Sequence, residues 1–556
     1  MKQQLEQAVT VLVTNLFGVT VPVALNRTDE RFGDFATNVA MQLAKELGLP
    51  PREIAGKLAE AVQAQLSDRI QKVDVAGPGF INLTLTDNTL LDEVNTPVFK
   101  INSGQKVLLE YSCPNAFKEL HTGHFYQTII GDALGILLEA TGADVYRANF
   151  GGDVGLHVAK CLYAITAKIG EDVTKLTEVD ESDRPTWISN LYVAGAKAYE
   201  SDESAKLQID EINKKIYAFH SENDTESPLA QIYWTCREWS YDYFKSFYES
   251  VSVAGFDKYY PESQTADLGL AIIKQHMDSV FTESDGAIVF KGEAVGLHTR
   301  VFVTTKGLPT YEAKDLGVIQ QEIEDYPYDR RILMTGNDQT QYMQVIFAAL
   351  NQINPELAAK QSHLTNGTIR FGSGEKMSSR LGNVSRAADV LTEVNKAVTA
   401  DDDETRQAIT LGAIKYSFLK HRLGGDIAFD INESVSLDGN SGPYLQYAYA
   451  RACSIIRKAE HRVGDQALAD LEAGERLLVR KLSEFNEVVI KATEDLMPHL
   501  ICTYLYELAQ TFNRFYEQNR VIGHERELAR LELVKAYAKT LQTGLRLLGI
   551  PTPEKM

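Results

Sequence analysis

Residues 106–138 read KVLLEYSCPNAFKELHTGHFYQTIIGDALGILL, and this stretch predicts a strand, a loop and a helix in succession. It opens with a short apolar run of the kind that forms a buried strand. Pro114 and Asn115 break that run. From His121 onward apolar residues recur at three- and four-residue steps, which indicates an amphipathic helix. A strand followed by a loop and a helix N-terminus is where α/β sheets bind anionic ligands.

Two short motifs carry groups suited to a nucleoside triphosphate: His-Thr-Gly-His at 121–124 and Lys-Met-Ser-Ser-Arg at 376–380. His121 and His124 are three residues apart, so a helix would present both from one face. Gly123 has no side chain, which would let a flat purine lie against the backbone. The second motif offers cations and hydroxyls for phosphate oxygens. For the first motif alone, the commoner alternative is two histidines that satisfy a helix start and bind no ligand.

The wider sequence resembles the class I arginyl-tRNA synthetases. The resembling segments lie in the family's order: GDFATNVAMQLAKELGLPPREIA (33–55), VAGPGFINLTL (75–85), EYSCPNAFKELHTGHFYQTIIGDAL (110–134), GLPTYEAKDLG (307–317), KMSSRLGNV (376–384), SGPYLQYAYARACSI (441–455), YLYELAQTFNRFYEQ (504–518) and LRLLGIPTPEKM (545–556). The resemblance implies ATP-dependent ligation of L-arginine to tRNA(Arg) through an arginyl-adenylate, with ATP and Mg²⁺ as cofactors. It also implies that the adenylate forms only when tRNA is bound.

The patterns along the chain divide it into four parts. Residues 1–90 predict a small α+β domain, and residues 106–350 alternate strands with helices, which indicates a parallel sheet with a helical insertion at about 180–250. Residues 425–556 show helical periodicity alone and predict a bundle. The resemblance implies a Rossmann-like α/β catalytic domain, tRNA-elbow binding by the first part and anticodon binding by the last. It assigns 351–424, with the KMSSR loop, to tRNA-stem contact.

The resemblance also assigns roles at the nucleotide site. It places His121 and His124 at the α-phosphate and adenine side of ATP, and Lys376 at the β- and γ-phosphates, as the three catalytic residues. Further ATP contacts are implied for Gly123, Met377, Ser378 and Ser379.

An arginine substrate presents a planar cation with five donors, which calls for carboxylates in bidentate reach. Tyr311 and Asp315 are four apart, so a helix would place them on one face. The resemblance assigns Asp315 and Glu262 as anionic partners of the guanidinium and Tyr311 as its aromatic and hydroxyl partner. Without the resemblance, an exposed carboxylate paired with Lys314 or Lys306 is the commoner interpretation of Asp315, and a core aromatic is the commoner interpretation of Tyr311.

Three further residues are implied to fix the α-amino and carboxylate groups of the substrate: Glu110, Asn115 and Gln339. The chain departs from the family pattern at three positions. Cys113 replaces the usual serine before Pro-Asn, Val154 replaces an aromatic residue, and Ser379 replaces the second lysine of the commonest class I motif. These departures leave the contributions of the three positions open.

Composition alone predicts an ordinary enzyme of several domains. The net charge of the whole chain is −20, which by itself would argue against a nucleic-acid binder. Nucleic-acid binding depends on where Lys and Arg cluster, however, so the total charge does not exclude it. The five cysteines form no CxxC pair and no zinc spacing, so we expect a reducing compartment and no metal site. No membrane span or signal peptide is evident, which predicts a cytoplasmic protein. A monomer is the form that the resemblance implies.

For tRNA, aromatic and arginine side chains alternate in two predicted helices of the last part, as suits unstacked bases. The members are Tyr444, Gln446, Tyr447, Tyr449, Arg451, Arg514, Phe515 and Tyr516 in the bundle, with Phe32, Phe35 and Phe80 in the first domain. At least half of the bundle positions are expected to be core. Two other functions stay open at this stage: a non-catalytic tRNA-binding paralogue, and a ligase for another amino acid.

Overall fold

The computed structural model describes residues 1–371, 386–459 and 470–556. Its first domain has an antiparallel sheet, in the order β1-β2-β4-β3, packed against helices, which confirms the predicted α+β unit. The elements are α1 (Lys2–Phe17), β1 (Asn26–Arg27), β2 (Phe35–Thr37), α2 (Val39–Leu47), α3 (Pro51–Gln65), β3 (Ile70–Ala76), β4 (Phe80–Leu85) and α4 (Asp87–Val94).

The second part is built on a parallel sheet in the order β12-β11-β5-β6-β7, as predicted. Its elements in chain order are β5 (Lys106–Glu110), α5 (Thr122–Ala140), β6 (Asp144–Gly151), α6 (Leu156–Ile169), α7 (Arg184–Ser201), α8 (Glu203–Ser221), α9 (Pro228–Ser250), β7 (Lys258–Pro261), α10 (Glu262–Gln275), β8 (Thr282–Ser284), β9 (Ala287–Phe290), β10 (Arg300–Val303), α11 (Tyr311–Asp325), β11 (Arg330–Gly336), α12 (Thr340–Ile353), α13 (Pro355–Ala359) and β12 (Gln361–Asn366). Strands β8, β9 and β10 form a small antiparallel sheet.

The strand order reverses at β5. The chain leaves β5 through α5 to β6 on one side, whereas β11 pairs with the other side of β5. In such sheets the loops after the two central strands diverge and leave a crevice at their carboxyl ends. The loop that leads to His121 and the turn at Asn337–Gln339 both leave the sheet at this point.

Two predicted limits of this part need correction. The sheet continues past residue 350, because β12 pairs with β11 from Arg331–Gln361 to Gly336–Asn366. β12 is a partly exposed edge strand of polar sequence, QSHLTN, so it lacks the apolar run that marks a buried strand. The helical insertion is also longer than 180–250, since α6 to α9 lie between β6 and β7.

The last part is mainly helical and confirms the predicted bundle. The elements that follow β12, from both the stem-contact region and the last part, are β13 (Ile369–Phe371), α14 (Ala387–Ala397), α15 (Asp403–Leu419), β14 (Ile427–Phe429), α16 (Ile431–Ser434), α17 (Gly442–Ala459), α18 (Ala473–Leu482), α19 (Phe485–Glu494), α20 (His499–Gln518) and α21 (Glu527–Leu547). The helical prediction for residues after 425 was wrong at β14, which pairs in parallel with β13.

Helix α5 joins the sheet to the bundle. It contacts β5 and β6 on the sheet side and α14, α15, α19 and α21 on the other. The rings of Phe125 and Tyr126 meet Phe418 edge-on at 5.4 and 5.5 Å between centroids. Nearby, the Lys415 ammonium donates to the carbonyls of Ser252 and Gly549, each at 2.8 Å. The bundle is therefore part of the support of the helix that starts at the histidine motif.

Within the described ranges, no helix combines the length and the apolar character that a bilayer crossing requires.

Candidate active site

His121 and His124 cap the start of α5 reciprocally. His121 Nδ1 accepts from the backbone N–H of His124 at 3.2 Å, and His124 Nδ1 accepts from that of His121 at 3.3 Å. The two rings stack with centroids 3.5 Å apart. The two histidines therefore do cap the helix, as the alternative interpretation expected. Capping uses only Nδ1 of each ring.

The capping bonds fix the tautomer of both histidines. A neutral imidazole that accepts at Nδ1 carries its proton on Nε2, so each ring keeps an Nε2–H donor for a ligand. Desolvation lowers the pKa of both imidazoles, His124 strongly, and the charge of Lys118 lowers both further. Lys118 is thus a cation close to the histidine pair that the sequence analysis missed.

Gly123 is required by the ring of His121. A Cβ at residue 123 would lie 2.8 Å from Cε1 and 2.9 Å from Nδ1 of that ring. A side chain here would therefore displace the stacked imidazole, whatever it did to a bound purine.

The loop between β5 and α5 holds three non-glycine residues in the left-handed region. The φ angles are 70° at Ser112, 45° at Cys113 and 64° at Phe117. Backbone of this kind persists only where its surroundings hold it. Here the Ser112 hydroxyl is held by Tyr248 and Thr128, each at 2.8 Å between oxygens.

The phosphate-binding residues predicted in the second motif, Lys376, Met377, Ser378 and Ser379, lie outside the described residues. The first described residue after them is Arg386, whose backbone forms an isolated antiparallel bridge with His121. The next residue, Ala387, donates its N–H to the Leu120 carbonyl at 2.8 Å. The chain that follows the second motif is therefore paired with the backbone of the first.

Gly152 marks the point where Asn115 and Glu262 meet. A Cβ built on Gly152 would lie 2.3 Å from Asn115 Oδ1, 3.1 Å from Glu262 Oε1 and 3.1 Å from His157 Cε1. The pocket thus needs a bare backbone at residue 152. His157 was missed by the sequence analysis; burial lowers its pKa to about 3, so it is neutral.

Glu262, the first residue of α10, forms a buried ion pair with Lys314. Lys314 Nζ lies 2.6 Å from Glu262 Oε2, and the two side chains are 4% and 6% exposed. The same ammonium lies 5.1 Å from the centre of the Tyr311 ring. Tyr311 is 58% exposed at the start of α11, which rules out the core alternative for this residue.

Asp315 lies one turn after Tyr311 and accepts a hydrogen bond from the Tyr342 hydroxyl. Burial raises the pKa of Asp315 to about 7 even though this bond acts to lower it. The charges of Glu110 and Glu262 raise the pKa further. Lys314 pairs with Glu262, so it does not neutralise Asp315 in the way the sequence-based alternative supposed.

Glu110 and Gln339 lie at the carboxyl ends of the two central strands. Glu110 is buried at the end of β5, where Arg331 pairs with both Glu110 and Glu322. Cys113 Sγ lies 3.7 Å from the other Glu110 oxygen, Oε1. Gln339 is exposed in the short 3₁₀ turn that follows β11.

Asp153 positions the start of α10 and was also missed. It is fully buried just beyond the carboxyl end of β6 and accepts from the Ser263 N–H at 2.9 Å and from the Ser263 hydroxyl at 2.7 Å. Arg237 on α9 donates to the same carboxylate at 2.8 Å. Asp153 therefore fixes the residue next to Glu262. No strand before it was predicted from the sequence, so its place after β6 at the carboxyl edge of the sheet gave no signal.

The structure separates the aromatic candidates for tRNA contact. Phe35, Gln446, Tyr449 and Phe515 are buried, whereas Phe32, Phe80, Tyr447, Arg451 and Arg514 are exposed. Arg451 lies over the Tyr516 ring at 4.9 Å from its centre, which leaves both at the bundle surface. At least half of the eight bundle positions were expected to be core, but three are buried, and Tyr444 and Tyr516 pack against the core while partly buried.

The chain matches three family models end to end. They are described as the arginyl tRNA synthetase N terminal domain (residues 1–85), the class I (R) tRNA synthetase catalytic domain (86–431) and the DALR anticodon binding domain (445–556). The chain belongs to the arginyl-tRNA synthetase family. Membership confirms the resemblance noted in the sequence and the class I fold with its parallel sheet.

Individual members of the arginyl-tRNA synthetase family resemble the chain over its whole length. An arginine–tRNA ligase of Porphyromonas gingivalis is 30% identical over 100% of this chain and 99% of its own. One of Thermobifida fusca is 32% identical over 95% and 94%. The Thermus thermophilus arginyl-tRNA synthetase structure superposes with a TM-score of 0.81 at 26% identity, covering 100% of both chains.

Proposed function

We propose that this chain is an arginine–tRNA ligase that makes arginyl-tRNA for protein synthesis through an arginyl-adenylate. The observation that carries the proposal is the pocket at the sheet crevice, where Glu262, Tyr311 and Asp315 offer two carboxylates and a phenol to a planar cation. Beside an apolar or thiol substrate Asp315 would stay without a charged partner, at a cost of about 1–3 kcal/mol. The pocket therefore favours arginine over such substrates.

In the first step the arginine carboxylate attacks the α-phosphorus of ATP and pyrophosphate leaves. Charge builds on the phosphate oxygens, so positioning and donors carry the catalysis, with little need for a protein base. The Nε2–H groups of His121 and His124 are suited to the α-phosphate and adenine side. Gly123 leaves room for the purine, and Lys376 with Met377, Ser378 and Ser379 completes the proposed contacts to ATP.

The two ends of the amino acid have separate partners in this proposal. Asp315 and Glu262 bind the guanidinium and Tyr311 covers it. Asn115 is suited to the α-amino and carboxylate end because its amide oxygen lies in the same pocket as Glu262. For Glu110 and Gln339 the support is their place at the carboxyl ends of β5 and β11.

In this proposal ATP binds to the active site together with Mg²⁺. Within the described ranges no group of three or more His, Cys, Asp or Glu side chains is placed to hold a metal ion. This fits Mg²⁺, which is usually held by substrate phosphates and water with one or two carboxylates. The ion would neutralise phosphate charge when it is bound.

In the second step the terminal ribose hydroxyl of tRNA(Arg) attacks the arginyl carbonyl and AMP leaves. The exposed Tyr447, Arg451 and Arg514 of the bundle are suited to anticodon bases, and the exposed Phe32 and Phe80 to the tRNA elbow. The proposed units are 1–90, a catalytic unit that runs from 106 through β12 to 366, a stem-contact region after it, and 425–556. The protein is also proposed to be a monomer and to act in the cytoplasm.

One assay tests the function: aminoacylation of total tRNA with arginine, lysine or cysteine in turn. Arginine alone should be attached. Attachment of another amino acid would replace the substrate, and tRNA binding without any attachment would indicate the non-catalytic paralogue.

Pyrophosphate exchange tests the dependence on tRNA. Exchange should stay near background with ATP and arginine alone and should rise when tRNA(Arg) is added. Strong exchange without tRNA would contradict this expectation.

A further inference from the structure

The proposed guanidinium pocket already contains a cation of the chain itself. The Lys314 ammonium is 2.6 Å from Glu262 and lies near the rings of Tyr311 and Tyr217, at 5.1 and 5.7 Å from their centres. It therefore contacts two of the three side chains proposed to hold the substrate's guanidinium. The pair is almost completely buried.

A buried carboxylate must be paired, because it has lost its water. Glu262 meets this need through Lys314 when no substrate is present. The arginine guanidinium and the ammonium would compete for the charge of this one carboxylate. Two cations in one desolvated pocket would also repel each other.

We propose that Lys314 is an internal stand-in for the substrate's guanidinium and a specificity-determining residue. Its ammonium leaves Glu262 when arginine binds, so only a side chain that brings its own positive charge can take its place. The inference rests on the arginine pocket proposed above.

The surroundings of Lys314 give the displaced ammonium a second position. The Tyr217 ring on α8 and the exposed Tyr311 ring both offer a face to a cation. A long lysine stem can move between such positions by rotating its own bonds. Citrulline has nearly the shape of arginine but no charge. If it displaced Lys314, Glu262 would be left unpaired, so we expect that citrulline does not displace Lys314.

The experiment measures the KM for arginine in aminoacylation with saturating tRNA. Lys314→Met removes the competing ion pair and should lower that KM about threefold to tenfold. Lys314→Arg holds Glu262 with a bidentate group and should raise it about threefold or more. In the Glu262→Gln background the gain from Lys314→Met should disappear, because no ion pair remains to be broken.

Lys258→Met is the matched control. Lys258 pairs with Asp325 at 2.5 Å between β7 and the end of α11, on the same two segments of chain but at the protein surface. It should leave the arginine KM within twofold of the unmodified enzyme.

The outcomes separate the two proposals. If the unmodified enzyme attaches no arginine to tRNA, the proposed function fails. If it attaches arginine but Lys314→Met or Lys314→Arg leaves the KM within twofold, or shifts it in the opposite direction, the stand-in role alone is overturned. Should Lys314→Met fail to fold, Lys314→Arg still decides, since it keeps a cation beside Glu262.

Discussion

Two buried charge clusters lie close together at the crevice and are built differently. In the first, Arg331 lies between Glu110 and Glu322 and pairs with both. In the second, Lys314 pairs with Glu262, while Asp315 has only the hydroxyl of Tyr342. The first cluster has one cation for two carboxylates, all held on strands or helices of the sheet layer. The second has a carboxylate with no cationic partner among the described side chains.

The difference distinguishes a scaffold from a binding site. A carboxylate that already shares a guanidinium holds one arrangement and has less to offer a cationic side chain; Glu110 nevertheless keeps Oε1, which lies outside the ion pair with Arg331, for the α-amino end of the substrate proposed above. A carboxyl held by a neutral hydroxyl can gain a charged partner, whereas Glu322 already has one in Arg331. The cationic substrate is thus expected at Asp315 and not at Glu322.

The largest expected effect concerns the scaffold cluster, which consists of Arg331, Glu110 and Glu322. Arg331→Met would leave two buried carboxylates without the guanidinium that they share. The free energy of unfolding should fall by about 3–5 kcal/mol, measured from the urea midpoint. Arg370→Met is the matched control, because Arg370 pairs with Asp426 while 76% exposed, and its loss should cost less than about 1 kcal/mol. Equal effects of the two variants would contradict the distinction.

Next in size is the effect of Asp315→Asn. Removing one partner of a buried charge-assisted pair typically costs about 2–5 kcal/mol, so the arginine KM should rise roughly 30-fold or more while the ATP KM is retained. Steady-state kinetics with saturating tRNA measure both. Asp325→Asn, at the other end of α11, should change neither. An unchanged arginine KM in Asp315→Asn would remove this residue from the pocket.

The third prediction concerns pH. Asp315 has a pKa of about 7, and binding a cation favours its ionised form. At pH 6 arginine must bind with release of a proton, whereas at pH 8 the carboxylate is mostly formed. The arginine KM should therefore fall roughly tenfold from pH 6 to pH 8, with no such change in the ATP KM. A flat profile would indicate that Asp315 does not bind the guanidinium.

The smallest effect is expected from Cys113→Ser. The Cys113 thiol lies 3.7 Å from Glu110, which connects the scaffold cluster to the strained loop. A serine hydroxyl is a better donor, but Glu110 already has Arg331. We expect a change in unfolding free energy below about 1 kcal/mol and an arginine KM within about threefold. A larger kinetic effect would mean that the loop residue contacts substrate.

The local features of the site followed from the sequence. Phe125, Ile129, Ile130, Leu134, Leu137 and Leu138, the apolar positions that predicted helix α5, are all buried, because their spacing follows the 3.6-residue turn of a helix. The prediction that Tyr311 and Asp315 share one helix was also correct, since α11 begins at Tyr311. Both predictions depend only on residues within two turns of each other.

Features that depend on contacts between distant residues could not be predicted from the sequence. Lys314 and Glu262 are 52 positions apart, and no periodicity relates them. Phe35 and Phe80 are both aromatic residues at the start of strands, yet only tertiary packing makes the first core and the second exposed. The polar edge strand β12 has one neighbour, so its sequence carries no burial signal.

The contacts of α5 with the bundle have a consequence for the synthesis of the enzyme. This helix leaves the ribosome long before α21, whose side chains it contacts, and before Gly549, whose carbonyl receives the Lys415 ammonium. Until α21 emerges, the part of α5 that it covers stays exposed. A polypeptide that still lacks α21 therefore cannot assemble the crevice fully, and the ligase should start to consume ATP only after that helix has been made.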